Sequence, residues 1–173
     1  MRRSGFWTLA TFIVVLDQWT KHLVDSHLPA REKVVLIPGV LELTHVRNPG
    51  TAFGLFGSGG GYLTFVAIAA AIFIICYWRH LRRQLQPPSL WLVCGLAMPL
   101  GGAIGNLIDR VRFGQVTDFI YLHLWPVFNV ADSAITVGAV LVAYYFFFVH
   151  DRRTAPAVEP TLDRQAASVQ TDA

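Results

Sequence analysis

Charge is what this sequence has little of. Asp, Glu, Lys and Arg together make up 14 % of its 173 residues, against roughly 25 % in ordinary soluble domains. A disordered chain is polar and highly charged, so this is not one. A soluble globule also needs more surface charge than this. Cysteine is scarce as well. Cys76 and Cys94 both sit inside apolar runs, which fits neither a disulfide framework nor a metal-ligand spacing and leaves each as a small hydrophobe. The sequence lacks HExxH and GxSxG motifs and any Ser–Lys spacing suited to a nucleophile. It has no internal repeat of the kind that builds an inverted-repeat transporter.

Apolar residues are abundant. They make up 54 % before the 14 glycines are counted, and the mean hydropathy is +0.47. The length corresponds to about one domain. The net charge is +3. A basic surplus can serve nucleic acid, but these arginines flank long apolar runs, where basic residues set membrane topology. No nucleic-acid partner is expected.

Four runs fit membrane helices, over about 6–24, 62–78, 90–108 and 130–149, since ~20 helical residues cross a hydrocarbon core of about 30 Å. Backbone groups in lipid must be satisfied internally, which favours helices. Arg2 and Arg3 precede the first run, Arg79, Arg82 and Arg83 follow the second, and Arg152 and Arg153 follow the fourth. An even number of crossings places all three clusters on one side, and the positive-inside rule makes that side cytoplasmic. Arg2, Arg3 and the first run also resemble a signal peptide. However, Asp17 and Lys21 stand where a small-residue cleavage site belongs. The expected fold is therefore an all-α integral membrane protein with four transmembrane helices and both termini cytoplasmic. Residues 1–153 form one domain, with outer loops 25–61 and 109–129, and residues 154–173 are a disordered cytoplasmic tail. Loop 25–61 carries two β-rich runs separated by Pro38-Gly39, a turn signal, and predicts a small β-rich extracytoplasmic platform on the membrane surface.

Charged side chains at membrane depth cost about 2.5–3.5 kcal/mol on insertion scales, so each needs a reason. Asp17 and Lys21 are four apart on one helix face. They read either as an intrahelical ion pair or as groups ordering the mouth of a site. Gly101 and Gly105 form a small-xxx-small face for close helix packing. Asn106, Asp109 and Arg110 lie in the final turn of the third run, either as a solvated helix end or as site residues. Asn129 and Asp132 fit a capping box at the start of the fourth, which can coexist with catalysis. Asp118 lies in an apolar stretch on the same outer side as Asp132, and the chain between them is long enough to fold back. Two carboxylates sharing a site hold one proton between them, the chemistry of an aspartic protease. Spacing alone leaves rivals. Asp17, Asp109, Asp118 and Asp132 could hold Mg²⁺ in a metal-dependent phospholipid or polyprenyl-phosphate enzyme. They could also line a proton-coupled carrier, although a carrier needs polar groups at the midplane too. His45 and His123, joined to these acids, could build a metal site, but no comparable ligand spacing is present.

Five blocks in order resemble the lipoprotein signal peptidase (signal peptidase II) family of membrane aspartic proteases. They are Asp17-Gln18-Trp19-Thr20-Lys21, Asn48-Pro49-Gly50-Thr51-Ala52-Phe53-Gly54, Gly101 to Arg110, Val116-Thr117-Asp118-Phe119 and Phe128-Asn129-Val130-Ala131-Asp132-Ser133. The resemblance covers roughly residues 6–150. It implies an inner-membrane aspartic endopeptidase with its site at the extracytoplasmic face. The substrate it implies is a diacylglyceryl-modified prolipoprotein, cut on the amino side of the lipidated cysteine. Asp118 and Asp132 would be the catalytic pair. Asn48, Gly50, Asn106, Asp109, Arg110, Asn129 and Ala131 would line or support the site, and Asp17 and Lys21 would help order it. The resemblance implies no metal or organic cofactor, inhibition by globomycin-type cyclic peptides, and a self-contained site that could work as a monomer.

Overall fold

A computed structural model describes residues 2–50, 61–84 and 88–149. Its elements are α1 (Arg2–His27), β1 (Lys33–Ile37), β2 (Leu41–Asn48), α2 (Gly61–Gln84), α3 (Leu90–Phe113), β3 (Val116–Leu122) and α4 (Val130–Tyr144), which runs into a π-helical turn at Tyr145–Val149. Three helical segments among the described residues are long and apolar enough to cross a membrane: Tyr62–Gln84, Leu90–Phe113 and Val130–Val149. At 26 residues α1 is as long, but Arg2, Arg3, Asp17, Lys21 and Asp25 lower its hydropathy. The tail expected over 154–173 and the block residues Thr51 to Gly54 lie outside the described residues.

α3 is the central helix. In its most apolar window 61 % of residues are buried, against 17 % for each of the other two segments. Its glycines make this possible. A Cβ on Gly101 would lie 2.6 Å from the Ala10 carbonyl oxygen of α1, and one on Gly102 would overlap the Ala131 carbonyl oxygen of α4. Pro99 lies inside the helix, and its ring seats against Gly138 of α4, where a side chain would collide with it. At the end of the bundle away from the site, Phe6, Trp78, Leu92, Leu100 and Tyr145 form the apolar core, with Phe6 stacked on Trp78 at 4.4 Å between ring centroids.

α1, α2 and α3 are longer than their apolar runs indicate. α3 continues beyond Ile108 to Phe113 and stops where Gly114 takes a left-handed conformation (φ 72°) and donates its N–H to the Arg110 carbonyl. Glycine reaches that conformation without a Cβ penalty. Asp109 is therefore held within the helix and buried, not placed in a solvated final turn. The expected platform also needs correction. It is a three-stranded antiparallel sheet in the order β1-β2-β3, and its third strand comes from the 109–129 segment. The expected hairpin turns at Pro38 and Gly39, with Gly39 at φ 73°. β3 pairs with the far side of β2, which gives partners to backbone groups that an edge would leave bare. Phe128 then returns along Ile120, and this brings the start of α4 beside β3.

Candidate active site

The site lies where the C-terminal parts of α1 and α3, the start of α4 and strands β2 and β3 meet. α4 begins with the capping box read from the sequence. The Asn129 side chain accepts from the Asp132 backbone N–H at 3.0 Å, and an Asp132 oxygen accepts from the Asn129 N–H at 3.2 Å. The next free N–H of that first turn, on Ala131, donates to Asp17 Oδ1 at 3.0 Å across the helix interface. A helix start exposes unpaired N–H groups and favours negative charge, so α4 orders Asp17 and Asp132 as they cap it. Ala131 is fully buried against α3, which leaves no room for a larger side chain.

Asn129 links the two candidate carboxylates. While its backbone and side-chain oxygen serve Asp132, its Nδ2 donates to Asp118 Oδ1 at 2.7 Å, with longer contacts to Asn106 Oδ1 and the Thr117 carbonyl. The other Asp118 oxygen accepts from Asn48 Nδ2 at 2.8 Å. Asn48 is the last residue of β2, and its own Oδ1 accepts from the Gly50 N–H at 2.8 Å. That bond turns the NH₂ end of the amide toward Asp118. Gly50 sits at φ 91°, a conformation that residues with a Cβ rarely adopt. The Asn48 amide thus bonds a carboxylate of the site itself. Asp118 is 3 % exposed. Burial is the larger cause, and the Asp132 charge a further one, of a pKa pushed from 3.8 up to about 6, against the bonds from Asn48 and Asn129.

A second layer holds these groups from behind. Lys21 is 3 % exposed and pairs with Asp17 Oδ2 at 2.9 Å and Asp109 Oδ2 at 3.1 Å. It also donates to Asn106 Oδ1 at 2.8 Å. Asn106 passes the polarisation on, because its Nδ2 donates to Asp132 Oδ1 at 2.8 Å. The intrahelical Asp17–Lys21 pair is thus present, buried and part of an interhelical network. Asp109 also accepts the Thr117 N–H at 3.0 Å and so ties β3 to α3. Arg110 is half-buried, with Asp132, Asp118 and Asp109 within electrostatic reach of its guanidinium.

Asp17, Lys21, Asn48, Gly50, Asn106, Asp109, Arg110, Asp118, Asn129, Ala131 and Asp132 all fall into this one network or beside it. Gln18 was quoted in the first block without a role. Its Nε2 contacts Asp109 Oδ1, the Gly105 carbonyl and Asp17 Oδ2 at 3.0–3.2 Å. An amide inside an otherwise apolar helix was the available signal. His45 and His123 lie elsewhere on the sheet, His45 against Asp25 and His123 against Glu42. Between Asp17 and Asp109 the position of a bound cation is already taken by the Lys21 ammonium.

Fold and site together define a helical membrane protein with a two-carboxylate centre at one end of its bundle, Asp118 buried and Asp132 partly exposed. The family model described as Signal peptidase (SPase) II matches residues 9–148. A lipoprotein signal peptidase of Moorella thermoacetica is 40 % identical over 139 residues, 80 % of this chain and 90 % of that protein. One from Desulforapulum autotrophicum is 42 % identical over 147 residues, covering 81 % and 90 %. A solved structure described as a bacterial membrane enzyme superposes with a TM-score of 0.78 at 26 % identity, covering 90 % of this chain and 95 % of that one. A second gives 0.75 at 27 % identity, covering 84 % and 94 %. The chain belongs to the signal peptidase II family.

Proposed function

We propose that this protein is a lipoprotein signal peptidase, an aspartic endopeptidase of the bacterial inner membrane. It removes the signal peptide from diacylglyceryl-modified prolipoproteins by hydrolysing the peptide bond on the amino side of the lipidated cysteine. The observation that carries this reading is the Asn129 bridge, which holds Asp118 and Asp132 in one site. The two share a proton. Burial favours the protonated form of Asp118. Asp132 accepts N–H bonds from Asn106 and Asn129 at the start of α4. Asp132 then takes a proton from the attacking water while Asp118 gives its proton to the carbonyl oxygen. As the C–N bond breaks, Asp132 returns its proton to the leaving nitrogen and Asp118 recovers one from the tetrahedral hydroxyl. The products are a signal peptide ending in a carboxylate and a lipidated cysteine with a free amine. Asp17, Lys21, Asn106, Asp109 and Arg110 hold the pair, and Asn48 and Gly50 fix Asp118 from the sheet.

α1 is the fourth span. Its charged pair is turned inward while Trp7, Phe12, Val15, Trp19 and Leu23 face outward, as a lipid-facing surface requires. With both termini cytoplasmic the carboxylates lie at the extracytoplasmic end, where a membrane-anchored substrate presents its cleavage site. The exposed apolar residues Val34, Val35, Leu36, Ile37 and Val40 suit a sheet resting on the outer leaflet. The protein works as a monomer, takes no cofactor, and is blocked by globomycin-type cyclic peptides. Mass spectrometry of the products tests the specificity. A prolipoprotein carrying diacylglycerol should be cut directly before the modified cysteine, and its unmodified form should remain intact. Equal cleavage of both, or cleavage elsewhere, overturns the reading.

A further inference from the structure

A second cluster of charge lies on β2, away from the carboxylate pair. Asp25, near the end of α1, spans two β2 side chains. Its Oδ1 is 3.0 Å from His45 Nε2 and its Oδ2 is 3.0 Å from Arg47 Nη2. His45 Nδ1 lies 2.8 Å from the Leu28 carbonyl oxygen, just beyond α1. A carbonyl only accepts, so Nδ1 carries the hydrogen, and Nε2 then attracts Asp25 Oδ1 only as the second N–H of an imidazolium. The Arg31 N–H donates to the His45 carbonyl at 3.1 Å. The Arg47 guanidinium lies 4.4 Å from the ring centroid of Phe113, the last residue of α3.

These contacts grip β2 at a particular place. From the pair Leu43–Ile120 to the pair Val46–Asp118, β2 advances by three residues and β3 by two. The extra residue is a bulge at Thr44–His45. Beyond it Asn48 opposes Val116, which makes Asp118 its diagonal neighbour, close enough for the 2.8 Å bond between them. A slip of one residue would turn Asn48 to the other face of the sheet. The bond to Asp118 therefore depends on the bulge staying in place.

We propose that Asp25, His45 and Arg47 are positioning residues for the peptidase reaction: they clamp the β2 bulge to the ends of α1 and α3 and so hold Asn48 on Asp118. The inference rests on the reading of Asp118 as one of the catalytic pair. Charged groups from three elements act on Asp118: Asp132 of α4, Arg110 of α3 and Lys21 of α1. Asn48 and Asn129 donate to it. An N–H donor favours the ionised carboxylate. Loosening Asn48 therefore makes Asp118 keep its proton to higher pH, and the alkaline limb of kcat/KM moves up.

The test compares pH profiles of kcat/KM for the full chain in detergent micelles, with a diacylglyceryl-cysteine lipopeptide as substrate. Asn48→Ala should move the alkaline limb up by about one pH unit, the worth of a hydrogen bond to a charged group. Asp25→Asn should move it in the same direction, and Asp25→Glu should restore the wild-type profile. Asp25→Asn combined with Asn48→Ala should move it no further than Asn48→Ala alone, because both act through one bond. If Asp25→Asn does not fold, Arg47→Gln opens the other arm of the clamp and carries the same expectation. A fall in activity or melting temperature with the limb unmoved would mean a merely structural role and overturn the proposal. A shift that adds in full to that of Asn48→Ala would overturn it too. A limb unmoved by Asn48→Ala itself would overturn the reading of Asp118 along with it, which separates the two failures.

Discussion

Replacing Lys21 by methionine keeps the unbranched side chain up to the position of Cε and removes the ammonium. In the native structure the ammonium is 3 % exposed and sits between Asp17 and Asp109, which are 0 % and 2 % exposed. The Lys21→Met protein must either bury two carboxylates with no cation between them or protonate one. Breaking a buried pair in this way costs about 3–5 kcal/mol. In a chain of this size each kcal/mol moves the midpoint by about 2–4 °C, so the melting temperature should fall by about 6–20 °C. Activity should fall as well, because Asn106 loses its 2.8 Å bond from Lys21 and is then freer to turn away from Asp132. Tryptophan fluorescence during heating in detergent micelles reads the midpoint. Adding Asp109→Asn to Lys21→Met should recover part of the loss, since one of the stranded charges is then gone. A Lys21→Met midpoint within about 2 °C of wild type would refute the reasoning. The buried ion pairs would then not be holding the bundle together.

Other perturbations act on neighbouring parts of the same network. Asn129→Ala removes the N-cap of α4 and should cost about 1 kcal/mol of stability, with a much larger loss of turnover, because the same side chain holds Asp118. Equal and modest losses in both would contradict the bridging role. Gly105→Ala would place a methyl 2.5 Å from Asp17 Oδ2 and should lower the melting temperature by forcing α1 from α3; an unchanged midpoint would show that the helices can part without cost. The pH dependence of stability has a definite sign. The pKa of Asp118 rises from 3.8 to about 6 on folding, so the unfolded chain gives up this proton first as pH increases. This group therefore subtracts up to about 3 kcal/mol of stability between roughly pH 4 and 6. Melting curves of wild type and Asp118→Asn should diverge over that window, with wild type losing ground as pH rises, and parallel curves would contradict it.

Local patterns were the parts of this structure most legible in the sequence. Asn129 and Asp132 are three apart and form a capping box. Asp17 and Lys21 are four apart and form an ion pair. Gly101 and Gly105 allow close approach of α1 and α3. Each requires only one helix to be known. β3 was not legible because its partner β2 is distant in sequence, and Val116 to Leu122 has neither alternation nor a hairpin turn to mark it. The length of α3 was underestimated because the apolar run ends at Ile108, although Gly114 marked the true end. Gln18 joins two carboxylates and a carbonyl on two helices, a role set by packing alone. The clamp of Asp25 on His45 and Arg47 likewise depends on where the sheet meets α1. Burial of the charged network against α3 also explains why α1 is less apolar than the other three helices.

The central claim is that Asp118 and Asp132 together hydrolyse the peptide bond. Cleavage of a diacylglyceryl-modified prolipoprotein by the purified protein tests it directly, with wild type run beside Asp118→Asn and Asp132→Asn and EDTA present throughout. Wild type should cut before the lipidated cysteine, and both variants should be folded and inactive. If wild type is inert in EDTA and recovers with Mg²⁺, or if either variant keeps the full rate, the two aspartates are not a catalytic pair.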